Sequence, residues 1–132
     1  KSTILRQVAA ALVEGKRDPR SILYLSLDQP LLKMYTIGQL LEMYHETIHP
    51  VGRDAVLLLD EVHYSKDWDL QLKSLIDHRG EYRILATGSA SLRARQALTD
   101  SGVGRWVTVP IPTLSFFEFV RIRGEEPPAA LP

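Results

Sequence analysis

Apolar residues recur at helical spacing over Ser2–Glu14, where Ile4, Leu5, Val8, Ala11 and Leu12 share one face. Gly15 ends that helix, and the polar loop Lys16-Arg17-Asp18-Pro19-Arg20 follows. The rhythm then changes. Ser21–Leu27 is short, nearly continuous in apolar residues and closed by Asp28-Gln29-Pro30, the pattern of a strand. A second helix is predicted from Thr36, as its N-cap, through Leu40, Leu41, Met43, Tyr44 and Ile48, until His49-Pro50-Val51-Gly52 breaks it. Ala55–Leu59 is the most hydrophobic stretch, and unbroken aliphatic strands belong in parallel sheets, buried on both faces. Trp68–His78 reads as a helix with Leu70, Leu72, Leu75 and Ile76 as its apolar set, and Tyr82–Thr87 as a third strand. A short helix is predicted over Ser91–Leu98 and a fourth strand over Arg105–Val109, stopped by Pro110 and Pro112. Leu114–Arg123 is a last amphipathic segment, with Ser115 and Glu118 spaced as a capping box. Strands alternating with helices predict an α/β fold with a mainly parallel sheet.

A chain of 132 residues suits one domain. Its 16 basic and 16 acidic residues cancel, so there is no basic excess to support nucleic acid as a partner. No apolar run approaches the ~20 residues needed to span a bilayer. Arg6 and Glu14 interrupt the N-terminal segment, which is not a signal peptide. With no cysteine, the chain reads as soluble and cytoplasmic, and its core needs no disulfide or metal to staple it. It opens on Lys1-Ser2-Thr3 without an initiator Met, so it reads as a fragment.

Open parallel sheets bind ligands at the carboxyl ends of their strands. Three polar clusters should meet there: Lys1-Ser2-Thr3 before the first helix, Asp60-Glu61 after the second strand and Thr87-Gly88-Ser89 after the third. A Lys followed by Ser or Thr at a helix start is the end of the pattern G-x-x-x-x-G-K-[ST]. There the free N–H groups and the ammonium meet phosphate, and the hydroxyl ligates Mg²⁺. Aliphatic residues followed by Asp-Glu form a Walker B arrangement, in which Asp60 serves Mg²⁺ and Glu61 orients the attacking water. A hydroxyl on the neighbouring strand end senses the γ-phosphate or the water. Taken singly, each cluster also fits a plain structural reading: a polar helix start, a strand re-entering water, a glycine turn. Their order along the chain is what a phosphate-hydrolysing site needs.

These pieces resemble the bacterial and archaeal AAA-type P-loop ATPases that carry a DUF4143 region. Lys1–Gln7 is similar to the end of their Walker A and the helix after it, and Tyr24–Asp28 to their second strand. Leu57–Tyr64 is similar to their Walker B, Trp68–Asp77 to the helix after it, Leu85–Ser91 to their sensor strand, and Gly104-Arg105 with Leu114–Phe119 to a closing signature that generic ATPases lack. The resemblance implies a three-layer parallel-sheet core and ATP and Mg²⁺ as cofactors. It implies Lys1, Ser2 and Thr3 at the phosphates, Ser2 and Asp60 at the metal, Glu61 as activator of water, Ser89 as sensor and Arg105 as charge stabiliser. On this reading residues 1–124 are the core, truncated ahead of its Walker A lysine, and 125–132 lead toward a further domain. Loss of the first strand would leave a gap in the middle of the sheet and weaken ATP binding. His63 stands where such proteins more often carry Gln, and reads either as a supporting contact beside the site or, the preferred reading, as a surface histidine. Two other functions remain open: a DExH helicase-like motor, because Asp60-Glu61-Val62-His63 has that form, and a non-catalytic interaction module. Phe116, Phe117 and Phe119 would serve a protein partner or self-association. A phospho-acceptor receiver domain fits less well, because Val109, not Lys, precedes Pro110.

Overall fold

A computed structural model of the chain describes residues 1–49, 54–78, 82–89 and 105–126. Helix α1 spans Ser2–Glu14 and is followed by strand β1, Ile22–Ser26. Helix α2, Ile37–Thr47, leads to strand β2, Val56–Asp60. Helix α3, Trp68–His78, leads to strand β3, Arg83–Ala86, and helix α4, Phe116–Ile122, comes last. The ends are set by local chemistry. At the head of α2 the Thr36 hydroxyl accepts from Gln39 N–H while the Gln39 side chain accepts from Thr36 N–H, a reciprocal cap. Ser115 and Glu118 form the same cap on α4, as their spacing predicts. Helix α1 stops at Gly15, whose φ is −74°, and the left-handed residue that turns the chain is Lys16, at φ 64°.

The three strands are parallel and contiguous in the order β1-β2-β3. Leu23 pairs with Leu57, and Leu57 with Ile84. The expected gap in the middle of the sheet is therefore not found, because β2 bonds to a strand on each side. Among the described residues, no strand pairs with the outer side of β3, three of whose four residues are exposed.

Alternation along the strands divides the core into two layers. Ile22, Tyr24, Val56 and Leu58 face α1, which contributes Leu5, Val8 and Leu12. Leu23, Leu25, Leu57, Leu59 and Ile84 face α2 and α3. Both crossovers advance in the same direction across the sheet, so both helices fall on one face, as right-handed connections require. The result is a three-layer α/β fold in which β2 is buried along its whole length. In α3 the buried residues are Trp68, Leu72 and Leu75, whereas Leu70 is 56% exposed, so the apolar set read from the sequence is one residue too wide.

The predicted fourth strand is corrected. Arg105–Val109 joins no ladder: Arg105 Nε donates to Asp77 Oδ1 at 2.8 Å, and the Trp106 ring lies 6.4 Å from that of Trp68. Both contacts fasten the segment to α3, while Val107 and Val109 stay exposed, so side-chain packing rather than strand pairing holds this stretch. The helix expected over 91–98 lies outside the described residues. Among the described residues, no helix is long and apolar enough to cross a membrane.

Candidate functional site

Positions 56, 58 and 60 of β2 point toward α1, so Asp60 ends its strand beneath the first turn of that helix. It is 1% exposed. A carboxylate so deeply placed needs hydrogen-bond donors, and three hydroxyls supply them. Tyr24 donates to Oδ2 at 3.0 Å, Thr87 donates to Oδ1, and Ser2 bonds to the same carboxylate. Burial pushes the Asp60 carboxyl up, but the bonds from Ser2, Thr87 and Tyr24 outweigh it and hold the group below the usual aspartate range.

A depressed folded-state value has a definite consequence for stability. Asp60 adds stability that is full above the unfolded aspartate value of about 3.9 and is lost as pH falls through the lower folded value. In metal-free buffer, Asp60→Asn should be less stable than the unsubstituted protein near neutral pH, and the difference should shrink below about pH 4. Urea titrations across that range check this; a difference that does not change with pH would refute it.

Glu61 follows directly, and its backbone is left-handed, with φ 55° and ψ 46°. For a residue with a Cβ this conformation costs about 1–2 kcal/mol. Thr87 pins it from the neighbouring strand end: its hydroxyl accepts from Glu61 N–H at 3.3 Å, and its carbonyl accepts from Val62 N–H at 2.9 Å. The side chain of Glu61 is about a third exposed, at 32%, and its Oε2 stands 3.2 Å from His63 Nδ1. That nitrogen is buried, so of the two readings of His63 the supporting contact, not the surface histidine, describes the atom that meets Glu61.

Lys1 is exposed and caps α1 through its backbone, its carbonyl accepting from Ile4 N–H at 2.9 Å. Its ammonium donates to the Gly88 carbonyl at 2.6 Å, reaching across to the loop after β3. Thr3 is exposed on the first turn of α1, and Ser89 is half-buried two residues past Thr87. The structure thus gathers Lys1, Ser2, Asp60, Glu61 and Thr87 at the carboxyl ends of β2 and β3. Arg105 is not in this group, because its partner Asp77 sits near the far end of α3.

Tyr24 has no place in the sequence-based site. Its signal was faint: it is the sole aromatic ring among the aliphatic residues of β1, and it pairs in register with Leu58, two positions before Asp60. The Thr87 hydroxyl meets the Asp60 carboxylate because Leu59 pairs with Ala86, which sets position 87 opposite position 60.

The donor set fits a magnesium ion. Among the described residues no group of three or more His, Cys, Asp or Glu side chains forms a closed metal cage. A single carboxylate with a neighbouring hydroxyl, Asp60 with Ser2, matches the way Mg²⁺ binds beside substrate phosphates, through one or two protein oxygens and several waters.

The AAA domain family matches residues 1–120 of the chain. An uncharacterized protein of Methanocaldococcus jannaschii is 33% identical over 122 residues, covering 91% of this chain and 25% of that protein. The chain therefore spans about a quarter of the length of that relative. No solved structure matches it. The match of residues 1–120, over a parallel sheet in a three-layer fold with its polar groups at the strand ends, means that the chain belongs to the AAA domain family and has an AAA-type, nucleotide-binding fold.

Proposed function

We propose that this chain carries the ATP-binding and ATP-hydrolysing site of an AAA-type P-loop ATPase, with Lys1 as its Walker A lysine. The observation that supports this best is the bond between Ser2, at the start of α1, and the buried Asp60 at the end of β2. Helix start and acidic strand end meet at hydrogen-bond distance, as a shared metal and phosphate site demands.

In this reading the N–H groups opening α1 at Ser2 and Thr3 receive phosphate oxygens, because the first turn of a helix leaves them without intrahelical acceptors. Lys1 exchanges the Gly88 carbonyl for the β- and γ-phosphates. Asp60 and Ser2 hold Mg²⁺, which neutralises phosphate charge when bound. Glu61 accepts a proton from the attacking water and aims it at the γ-phosphorus, while the hydroxyls of Thr87 and Ser89 fix the water or the phosphate. The Arg105–Asp77 pair favours a structural role for Arg105 over a part in charge stabilisation. The exposed rings of Phe116, Phe117 and Phe119 are compatible with a protein partner or self-association.

The test is ATP binding and Mg²⁺-dependent hydrolysis in the full-length protein, beside Lys1→Ala. Turnover that the substitution removes, together with tight ATP binding, is the expected result. A full-length protein that neither binds nor hydrolyses ATP would sink the proposal and favour an interaction module.

A further inference from the structure

The left-handed backbone at Glu61 runs at once into a 3₁₀ turn, Val62–Tyr64. This reversal brings the side chain of residue 63 back beside that of residue 61. His63 Nδ1 ends 3.2 Å from Glu61 Oε2. The nitrogen is buried and forms no hydrogen bond, so the distance for one is present and the direction is not. The ring lies 4.4 Å from the Tyr64 ring, which carries the Lys33 ammonium at 4.2 Å on its own face. Glu61 has three rotatable side-chain bonds and a half-open environment, so unaided it would sample many orientations.

We infer that His63 is a positioning residue for Glu61, its Nδ1–H turning onto the carboxylate and holding it where water is activated. The inference rests on the ATPase reading above. A base held in one orientation spends more of its time in reacting geometry, so the contact acts on turnover and not on nucleotide affinity.

The experiment compares His63→Phe and His63→Gln in the full-length protein. Phenylalanine keeps a ring beside Tyr64 and lacks the donor; glutamine supplies an N–H again. His63→Phe should lower kcat on the order of 10- to 100-fold with KM for ATP and the melting temperature unchanged. His63→Gln should recover most of the loss. An unchanged or raised kcat in His63→Phe overturns the inference, as does a loss that follows melting temperature and is not rescued by Gln. The ¹⁵N spectrum of the His63 ring gives a second readout that needs no turnover. Nδ1 should be the protonated nitrogen, and Glu61→Gln should shift its signal; no shift overturns the contact itself. A protein that shows this shift yet hydrolyses no ATP marks a failure of the ATPase reading, distinct from a failure of the pairing.

Discussion

Glu61→Gln should abolish most ATP turnover while leaving ATP affinity close to that of the unsubstituted protein. Glutamine keeps the length of the side chain and tolerates the left-handed backbone no worse than glutamate, so the turn at Val62–Tyr64 should survive. What it loses is the ability to take a proton. General-base contributions run to about 10²–10⁴-fold, and that is the expected fall in kcat. Lys1 and Asp60 are untouched, so binding of a fluorescent ATP analogue with Mg²⁺ should be retained. Equal turnover in the two proteins would place the base elsewhere. A variant that loses binding as well would mean that Glu61 belongs to the phosphate or metal contacts. The same variant separates the readings left open by the sequence: a non-catalytic module has no turnover to lose, and a helicase-like motor would lose it equally.

Leu57→Ala should be the most damaging single truncation of the fold. Leu57 has no exposed surface and lies between Leu23 and Ile84 on the flanking strands, under the layer formed by α2 and α3. A buried Leu→Ala change costs about 2–5 kcal/mol, the lost transfer energy plus the cavity left behind. Domains of this kind have only about 5–15 kcal/mol in total, so the variant should melt far below the unsubstituted protein. Leu70→Ala is the control. That side chain is 56% exposed on α3, and its removal should change stability by about 0.5 kcal/mol or less. Chemical denaturation of the two variants decides the matter; similar losses would mean that the inner face of α3 has been misassigned.

The elements that were legible in the sequence are those whose causes are local. The bounds of α1 and α3 follow from apolar spacing, and the heads of α2 and α4 from Thr36 and from Ser115 with Glu118. The β2 run was readable because burial on both faces leaves no polar position until Asp60. What was not legible depends on partners distant in the chain. Val107 and Val109 have the residues of a strand, but a strand exists only where an edge accepts it, and here Arg105 and Trp106 are taken up by α3. Tyr24 joins the site through cross-strand register, a relation that one segment does not reveal. The contact of His63 is legible only as one of two alternatives, because it depends on the backbone sign at Glu61, and glutamate gives no warning of a positive φ.

The layer formed by α1 has its own consequence. Of its thirteen residues only Leu5 is fully buried, whereas α2 buries Ile37, Leu40, Leu41 and Tyr44. Regions with few buried apolar contacts open locally at a lower free energy than the global unfolding of the domain. The helix that carries Lys1 and Ser2 is thus the layer with the least holding it down, while Asp60 and Glu61 stand on the strand with the most. A ligand that grips both ends of this pair ties the loosest layer to the firmest, and occupancy of the site becomes occupancy of the folded state. Amide exchange in α1, fast beside that of β2 in the empty protein, would then report how much of the domain's cohesion a bound ligand supplies.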